Sequence, residues 1–308
     1  MSEQHFDVIG DVHGHADALR RLLVMLGYTE SQGIFHHDTR NAIFVGDFVD
    51  RGPQQREVLR IARNMCEGGA ANAVLGNHEL NAIAWATSND EGGFLRKHSQ
   101  KNSDQHAEFL GQLSEGSLEY HEAIQWFRQL PVWREFPGLR VVHACWHEPS
   151  RAALAPYLDA RNCFTDYGFQ EAHRCGSEAF VAADILLKGP EQTLPSGMSF
   201  LDKGGHKRQE VRLRWWDPHA TTFKQAAIGL DDRLEELPYV KLPTDFRDLE
   251  STPVLFGHYW MPGEPTITNT AAACLDFSVA NNGYLTAYRW SGERELLSEN
   301  LVHVPAEV

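Results

Sequence analysis

One seven-residue stretch constrains the possible folds of this chain more than any other part of its sequence. It is Gly46-Asp47-Phe48-Val49-Asp50-Arg51-Gly52, and it directly follows 41–45, a short apolar run that predicts a buried strand. Two glycines enclose two carboxylates and one guanidinium, so the strand ends in a tight, highly charged loop. In open α/β sheets, ligands bind at the carboxyl ends of strands. We therefore expect Asp47 to bind a metal ion and Arg51 to grip an anion that the metal also holds.

Two other predicted strands end in the same kind of loop. The short run 6–9 leads into Gly10-Asp11-Val12-His13-Gly14, and the run 72–75 leads into Gly76-Asn77-His78-Glu79. Helices with one apolar face are predicted between these strands, so strands and helices alternate along this part of the chain. Such alternation is typical of an α/β fold with a parallel sheet. The three polar loops should then lie on one edge of that sheet.

The later part of the chain adds strands and one irregular region. Strands are predicted on both sides of the Pro137-Gly138 turn, the second one ending at His143, and again at 253–256, 273–277 and 284–290. We expect a single domain over 1–308, in which about 150–250 elaborates the region over the site, because no flexible linker bounds that region. A polar stretch at 88–117 predicts a surface excursion with one short helix.

Composition excludes several functional classes. The chain has 308 residues, a formal net charge of −14 and five cysteines without a Cys-x-x-Cys pair. These features argue against a disulfide framework and against a structural zinc site. The negative charge disfavours sequence-blind binding to nucleic acid, which needs a basic face. No apolar run is long enough to span a membrane and the N-terminus lacks the regions of a signal peptide, so we expect a cytoplasmic protein.

Six candidate metal ligands each lie at or just past an apolar β run. They are Asp11, His13, Asp47, Asn77, His143 and His258. A lone histidine after a strand is more often an ordinary hydrogen-bonded residue, but six such side chains in order at five strand ends favour a metal site. Carboxylate, amide and imidazole ligands together suit Mn²⁺, with Fe or Zn²⁺ as alternatives. We expect two divalent ions, with Asp11 and His13 on one, Asn77, His143 and His258 on the other, and Asp47 bridging them.

The three glycine-bounded blocks resemble the signature blocks of the phosphoprotein phosphatase family of calcineurin-like metallophosphoesterases. The resemblance covers about 1–145 and again about 252–292. It implies an α/β fold of two stacked mixed β-sheets flanked by helices. It also implies that His78 donates a proton to the leaving group, that Asp50 orients His78, and that Arg51 grips the phosphate. A histidine paired with a carboxylate is a plausible acid at neutral pH, which agrees with this role.

Two substrate classes remain open within this family. The complete Asp50-Arg51 pair is similar to that of serine/threonine protein phosphatases, and it predicts hydrolysis of phosphomonoesters by a metal-bound hydroxide, with no covalent intermediate. Leu75 and the segment 256–260 instead resemble symmetrical diadenosine tetraphosphatases, which makes a dinucleoside polyphosphate the alternative substrate. A non-catalytic module that has kept the fold is the rival from another class. The presence of every predicted ligand, together with His78, argues against it.

Further residues are assigned to substrate binding, and their partners could be a phosphoprotein, a nucleotide or a dinucleoside polyphosphate. Asn77 is expected to contact substrate as well as metal. Arg212 and Arg214 are both candidates for a second phosphate-binding arginine, and we select Arg214. The basic turn 203–208 would suit a polyanion, and the tryptophans at 215–216 could stack on a base. A solvated hairpin tip and buried tryptophans are the alternative.

Overall fold

The computed structural model describes residues 5–89, 92–201, 207–230, 234, 237–242, 249 and 252–307. Its strands are β1 (His5–Ile9), β2 (Thr29–Ser31), β3 (Ile34–His36), β4 (Arg40–Phe44), β5 (Ala71–Ala73), β6 (Trp133–Phe136), β7 (Leu139–Val142), β8 (Glu191–Thr193), β9 (Phe200–Leu201), β10 (Lys207–Arg208), β11 (Glu210–Arg212), β12 (Val254–Phe256), β13 (Ala272–Cys274), β14 (Asp276–Phe277), β15 (Tyr284–Trp290) and β16 (Leu301–Pro305).

The α-helices are α1 (Ala16–Met25), α2 (Gln55–Glu67), α3 (Asn77–Ala86), α4 (Gln100–Gln105), α5 (Ala107–Gln112), α6 (Leu118–Phe127), α7 (Glu148–Leu154), α8 (Asp166–Glu171), α9 (Glu178–Lys188) and α10 (Phe223–Ala226). Short 3-10 turns lie at Ala155–Tyr157, Val279–Asn281 and Ser298–Asn300. Over the described ranges, every helix is too short or too polar to cross a membrane.

The larger sheet contains the strands that the alternating pattern predicts. Its order is β14–β15–β1–β4–β5, and β16 pairs with β15. β1, β4 and β5 are mutually parallel, whereas β15 runs antiparallel to β1. The carboxyl ends of the three parallel strands therefore open onto one edge, as the sequence predicts. Helices α1 and α2 bury the apolar faces that their spacing indicates, for example Leu19 and Leu22 in α1 and Val58 and Met65 in α2.

The second sheet has the order β13–β12–β7–β6. β12 is parallel to both β7 and β13, and β6 pairs with β7 across the predicted Pro137-Gly138 turn. One predicted strand, 273–277, is divided between the two sheets. The Leu275 amide donates a hydrogen bond to the Phe256 carbonyl oxygen at 2.6 Å, after which the chain crosses from β13 to β14. A continuous apolar run cannot reveal this division, because both halves are buried.

The two sheets stack on a shared apolar core. Five strands of the two sheets each contribute a fully buried side chain to it: Val8, Ile43, Val141, Leu255 and Tyr288. Burying an apolar side chain of this size stabilises the folded state by roughly 1.5–3 kcal/mol relative to leaving it exposed. A second core lies between the sheets and the flanking helices. The predicted class, two stacked mixed β-sheets flanked by helices, is confirmed.

The region of about 150–250 contains a small core of its own, which we call the satellite core. Its members are Leu194, Met198, Val211, Leu213, Ala220, Phe223, Ala226, Ala227, Leu230 and Leu237. The sequence from 211 to 216 also predicts a β run, but the strand ends at Arg212, because the chain then turns and the Arg214 N–H donates to the Ala226 carbonyl oxygen. The single-domain organisation remains a prediction.

Two expectations about that region have different outcomes. Trp215 and Trp216 are buried and pack against Phe256, so the hypothesis that they stack on a base is wrong. The basic turn lies partly outside the described residues, and of its cations the structure describes Lys207 and Arg208, both exposed in β10. The described part of the excursion at 88–117 has two short helices, α4 and α5, where the sequence predicts one.

Candidate metal centre

The six predicted ligands come together where the two sheets meet. Asp11 and His13 follow β1, Asp47 follows β4 and Asn77 follows β5, all in the larger sheet. The other two, His143 and His258, follow β7 and β12 of the second sheet. All six side chains are buried, at most 8% exposed. The site therefore consists of strand ends from both sheets, fixed by the packing of the core below them.

Two clusters of possible ligand atoms share Asp47. His13, Asp47 and His78 have ligand atoms within 4.8 Å of one another, and so do Asp47, His143 and His258. Asp47 is the residue common to both, which is the position that a bridging carboxylate needs. The first cluster contains His78, to which the sequence assigns the role of acid.

The two remaining ligands lie beside these clusters. Asp11 Oδ2 is 4.0 Å from His13 Nε2. Asn77 Oδ1 is 2.9 Å from His143 Nε2 and 2.8 Å from His258 Nδ1. Each ligand thus lies next to a member of the half-site to which the sequence assigns it.

The hydrogen bonds of His13 test whether a cation fits. Its Nδ1 lies 2.9 Å from the Val49 carbonyl oxygen, which can only accept, so Nδ1 donates and Nε2 of the neutral ring keeps a bare lone pair. Among the residues that the structure describes, this Nε2 has no hydrogen-bond partner, and it faces Asp47 Oδ2 at 3.5 Å. Burial, opposed by the charge of Asp47, lowers the pKa of His13 to about 3. A neutral imidazole that faces a carboxylate is the arrangement that a metal ion satisfies.

His143 is held in the same way in the second cluster, through Nδ1 and a backbone carbonyl oxygen. Its Nδ1 donates to the Val45 carbonyl oxygen at 2.7 Å, and its Nε2 faces Asn77 Oδ1 and, at 3.4 Å, Asp47 Oδ1. Burial opposes charge on this ring, but Asp47 raises the pKa of His143 above its ordinary value. The cluster therefore attracts positive charge. A proton on His143 Nε2 could form a hydrogen bond to only one of the facing oxygens at a time, whereas a divalent cation could bind the ring nitrogen and both oxygens together.

Buried carboxyl groups are concentrated at this edge. Four of them, each at most 2% exposed, share it: Asp11, Asp47, Glu79 and Asp276. Burial raises the pKa of Asp11, and the charges of Asp276 and Asp47 raise it further. Buried charges of one sign are costly unless opposite charge offsets them. The residues present therefore fit a site for divalent cations.

Backbone strain is concentrated in the same loops. His13, Asp47, Asp50, Arg51 and His258 all have positive φ, between 43° and 76°, a region that non-glycine residues seldom adopt. Strained backbone persists where the surrounding structure enforces it, and it clusters at functional sites. A Cβ on Gly257 would lie 1.9 Å from Asp11 Oδ1, so only glycine allows the β12 loop to approach that ligand.

Glu79 holds two of the ligand loops together, a role that sequence reasoning missed. Its Oε2 accepts hydrogen bonds from the backbone N–H of Asp47 at 2.8 Å and of Gly76 at 3.2 Å, and its Oε1 accepts from Phe48 N–H at 2.8 Å. The side chain is fully buried. Its position three residues after the start of the Gly76 loop, where a helix-capping glutamate is favoured, was the available signal.

The predicted acid and its partner are in contact. His78 Nδ1 lies 2.5 Å from Asp50 Oδ2, and His78 Nε2 points toward the metal ligands, 3.9 Å from Asp47 Oδ2. Burial disfavours a charged ring, but Asp47 and Asp50 raise the pKa of His78 above its ordinary value. The other oxygen of Asp50 accepts a hydrogen bond from His106, which the sequence analysis overlooked.

The arginines differ in how near the centre they lie. The Arg51 guanidinium stacks over the Trp260 ring, 4.2 Å from its centroid, on a residue two positions after His258. Arg212 Nη1 donates a long hydrogen bond to the His258 carbonyl oxygen at 3.4 Å. In the described part of the chain, Arg214 makes no hydrogen bond or ion pair with a predicted ligand, and its backbone N–H donates to the Ala226 carbonyl oxygen. Arg212 is therefore the better placed of the two candidates for a second phosphate-binding arginine.

Comparison with known proteins identifies the family. The symmetrical bis(5'-nucleosyl)-tetraphosphatase of Proteus mirabilis (strain HI4320) is 26% identical over 315 residues, which span 97% of this chain and 98% of that protein. The asymmetrical bis(5'-nucleosyl)-tetraphosphatase of Halalkalibacterium halodurans is 47% identical over 74 residues, 24% of this chain and 30% of its own length.

A solved structure of a Saccharomyces cerevisiae protein serine/threonine phosphatase matches with a TM-score of 0.50 at 14% identity, over 99% of this chain and 80% of that one. At this identity the likeness shows the fold alone. A family model described as calcineurin-like phosphoesterase matches residues 5–174, more than half of the chain. The chain therefore belongs to the calcineurin-like phosphoesterase family, as a metal-dependent phosphoric ester hydrolase.

Proposed function

We propose that this enzyme hydrolyses dinucleoside polyphosphates, and that its preferred substrate is a dinucleoside tetraphosphate cut symmetrically. The observation that carries this proposal is the end-to-end match to the Proteus mirabilis symmetrical tetraphosphatase, which includes the elaboration at about 150–250. The match to the asymmetrical enzyme covers 24% of the chain, and the protein phosphatase shares the fold at 14% identity. The phosphomonoester substrate that the sequence favours first therefore becomes the second choice.

The metal ligands in this proposal are the six residues predicted from the sequence: Asp11, His13, Asp47, Asn77, His143 and His258. We assign Asp47 to both ions, because it belongs to both ligand clusters. Two bound divalent ions would supply a hydroxide nucleophile near neutral pH and offset the charge of the phosphoryl oxygens. The mixture of oxygen and imidazole ligands favours Mn²⁺, with Fe and Zn²⁺ as alternatives.

The remaining groups act on the substrate. Arg51, stacked on Trp260, has its N–H groups directed by that stacking and would grip the phosphoryl group under attack. Arg212 would bind a neighbouring phosphate of the polyphosphate chain, which a phosphomonoester lacks. Asn77 would contact the substrate as well as a metal ion. His78, held by Asp50, would give a proton to the leaving oxygen.

The test is a side-by-side assay with product analysis in the presence of Mn²⁺. Diadenosine tetraphosphate, a phosphoserine peptide and an aryl phosphate are the substrates, and the Asp47→Asn variant is the inactive control. We expect kcat/KM to be about 10²-fold or more higher for diadenosine tetraphosphate, a discrimination that substrate-specific contacts can supply. The expected product is two molecules of ADP. Formation of ATP and AMP would indicate asymmetrical cleavage, and a preference for the phosphopeptide would contradict the proposal. The cytoplasmic location remains a prediction.

A further inference from the structure

The excursion between α3 and α6 brings a second histidine to the predicted acid pair. His106 joins α4 to α5 and is 3% exposed. Its Nδ1 lies 2.6 Å from Asp50 Oδ1, and His78 Nδ1 lies 2.5 Å from Asp50 Oδ2. The Asp50 carboxylate is thus held between two imidazoles, one on each oxygen. Nothing in the sequence spacing indicates this arrangement, because His106 lies 56 positions after Asp50.

This arrangement determines how the proton donors are oriented. An ionised carboxylate can only accept hydrogen bonds, so the Nδ1 atoms of both rings donate to Asp50. Burial opposes charge on Asp50, but His106 and His78 lower its pKa below the ordinary range. A carboxylate held through one oxygen can still rotate about its Cβ–Cγ bond. The second hydrogen bond, on Oδ1, fixes the plane of the carboxylate and with it the direction of the His78 ring.

The excursion is anchored to the helix that carries His78. Trp85, near the end of α3, stacks on His98 at 3.7 Å between ring centroids, and His98 also stacks on Phe94 at 4.1 Å. Arg96 Nη2 donates to Gln105 Oε1 at 2.8 Å, directly before His106. The first turn of α3 thus holds the acid, and its last turn holds the segment that delivers His106.

We propose that His106 is a positioning residue for the acid: its Nδ1–H orients the Asp50 carboxylate, which in turn orients His78 toward the leaving oxygen. The inference deepens the proposed function and rests on the acid role of His78. His106 itself does not touch the substrate in this account. The competing explanation is that His106 is a buried polar residue that uses the nearest carboxylate and matters only for folding.

Two variants of His106 separate these explanations. His106→Leu removes the donor at similar size, whereas His106→Asn places an amide N–H near the position of Nδ1 and can still donate to Asp50. The substrates are phenyl phosphate, whose leaving oxygen needs a proton, and 2,4-dinitrophenyl phosphate, whose leaving oxygen does not. His36→Leu, on an exposed strand residue, is the matched control, and the midpoint of thermal unfolding is measured for every variant.

We expect His106→Leu to lower kcat on phenyl phosphate by about tenfold, a fraction of the 10²–10⁴ that general acid catalysis contributes. On 2,4-dinitrophenyl phosphate the loss should be less than about twofold, and His106→Asn should recover most of the phenyl phosphate activity. In a His78→Asn background, His106→Leu should cost nothing more, because residues that act through one group are not additive.

The opposite results would overturn the proposal. An equal loss on both substrates, or a full additional loss in the His78→Asn background, would assign His106 to structure alone. If His78→Asn by itself lowers both substrates equally, the acid role of His78 fails and the inference fails with it. The choice between a dinucleoside polyphosphate and a phosphomonoester as substrate is measured separately by product analysis. A failure of the proposed substrate can therefore be distinguished from a failure of the inference about His106.

Discussion

The metal-centre loops and the region of about 150–250 are built in contrasting ways. Each ligand loop follows a strand directly, carries its functional residue within a few positions, and rests on the core between the two sheets. The described strands of the later region have two or three residues, and its buried apolar residues are divided between the satellite core and the main core, to which Trp215 and Trp216 belong. Within this region, Arg212 contacts a predicted ligand, because its Nη1 donates to the His258 carbonyl oxygen.

We infer from this difference that the metal-centre loops carry out the reaction and that the later region determines which substrates are selected. Groups that must converge within 4.8 Å of one another need a rigid base, and strand ends on a packed core supply it. The residues of the satellite core form a cluster separate from the core under the metal centre, so we expect changes among them to leave those distances intact. We therefore expect changes in the metal-centre loops to affect every substrate alike, and changes near the satellite core to affect large substrates selectively.

The largest effect is expected for Asp47→Asn. An amide cannot bridge two cations as a carboxylate can, so metal content should fall from about two ions per chain to one or fewer, and turnover of every substrate should fall to background. Elemental analysis and assays on diadenosine tetraphosphate and an aryl phosphate measure this. Asp17→Asn, on an exposed residue of α1, is the matched control. Normal activity in the presence of chelator would contradict the whole scheme.

His78→Asn should have the next largest effect, and this effect should depend on the leaving group. On phenyl phosphate we expect turnover to fall by about 10²–10⁴, the usual contribution of a general acid. The loss should be smaller on diadenosine tetraphosphate, since a nucleotide is a better leaving group than a phenoxide. Steady-state kinetics of His78→Asn on both substrates measure this difference. An equal fall in turnover on phenyl phosphate and on diadenosine tetraphosphate would assign His78 to metal positioning.

Glu79→Gln should weaken metal binding without removing a ligand. An amide in place of one carboxylate oxygen presents N–H to backbone N–H groups, so the link between the Asp47 and Gly76 loops is lost. Residues that support metal ligands typically contribute 10–100-fold in affinity, and we expect a change of about that size. Titration with Mn²⁺ measures it, with excess metal restoring much of the activity. Unchanged affinity would show that the loops hold their positions without Glu79.

The smallest effect is expected in the later region, and it should be selective. Arg212→Ala should raise KM for diadenosine tetraphosphate by about tenfold, the loss of one charge-assisted contact, with little change for an aryl phosphate. Arg214→Ala is the matched comparison, since both arginines are candidates from the sequence. A larger effect of Arg214→Ala would favour Arg214 over Arg212 as the second phosphate-binding arginine. Equal changes in KM for both substrates would contradict the expectation that the later region affects large substrates selectively.

Much of the fold, and which side chains gather at the candidate metal centre, could be predicted because their signals are local. In the loops that follow β1, β4 and β5, a glycine and a polar candidate ligand come directly after an apolar run, and this pattern indicates a metal site. His143 and His258 were also recognisable, since each follows a buried strand. What could not be predicted depends on tertiary packing. His106 reaches Asp50 through the fold of an excursion, and Leu275 is the crossing point between two sheets within one apolar run.

The later region shows the same limit more strongly. Trp215 and Trp216 could be read from the sequence as a stacking surface or as core, and only the packing against Phe256 decides for the core. Arg212 and Arg214 are equivalent by composition and lie two positions apart. The turn after β11 gives them different surroundings, and such a turn depends on contacts with α10 that no local pattern encodes.

A dinuclear centre bridged by Asp47 underlies every role proposed above. The most direct test is a crystal structure of the protein grown with Mn²⁺, with anomalous diffraction recorded near the manganese edge. We predict two peaks about 3.5–4 Å apart. Asp47 should lie between them, with Asp11 and His13 on one ion and Asn77, His143 and His258 on the other. A single peak, or two peaks of which Asp47 contacts only one, would contradict the account.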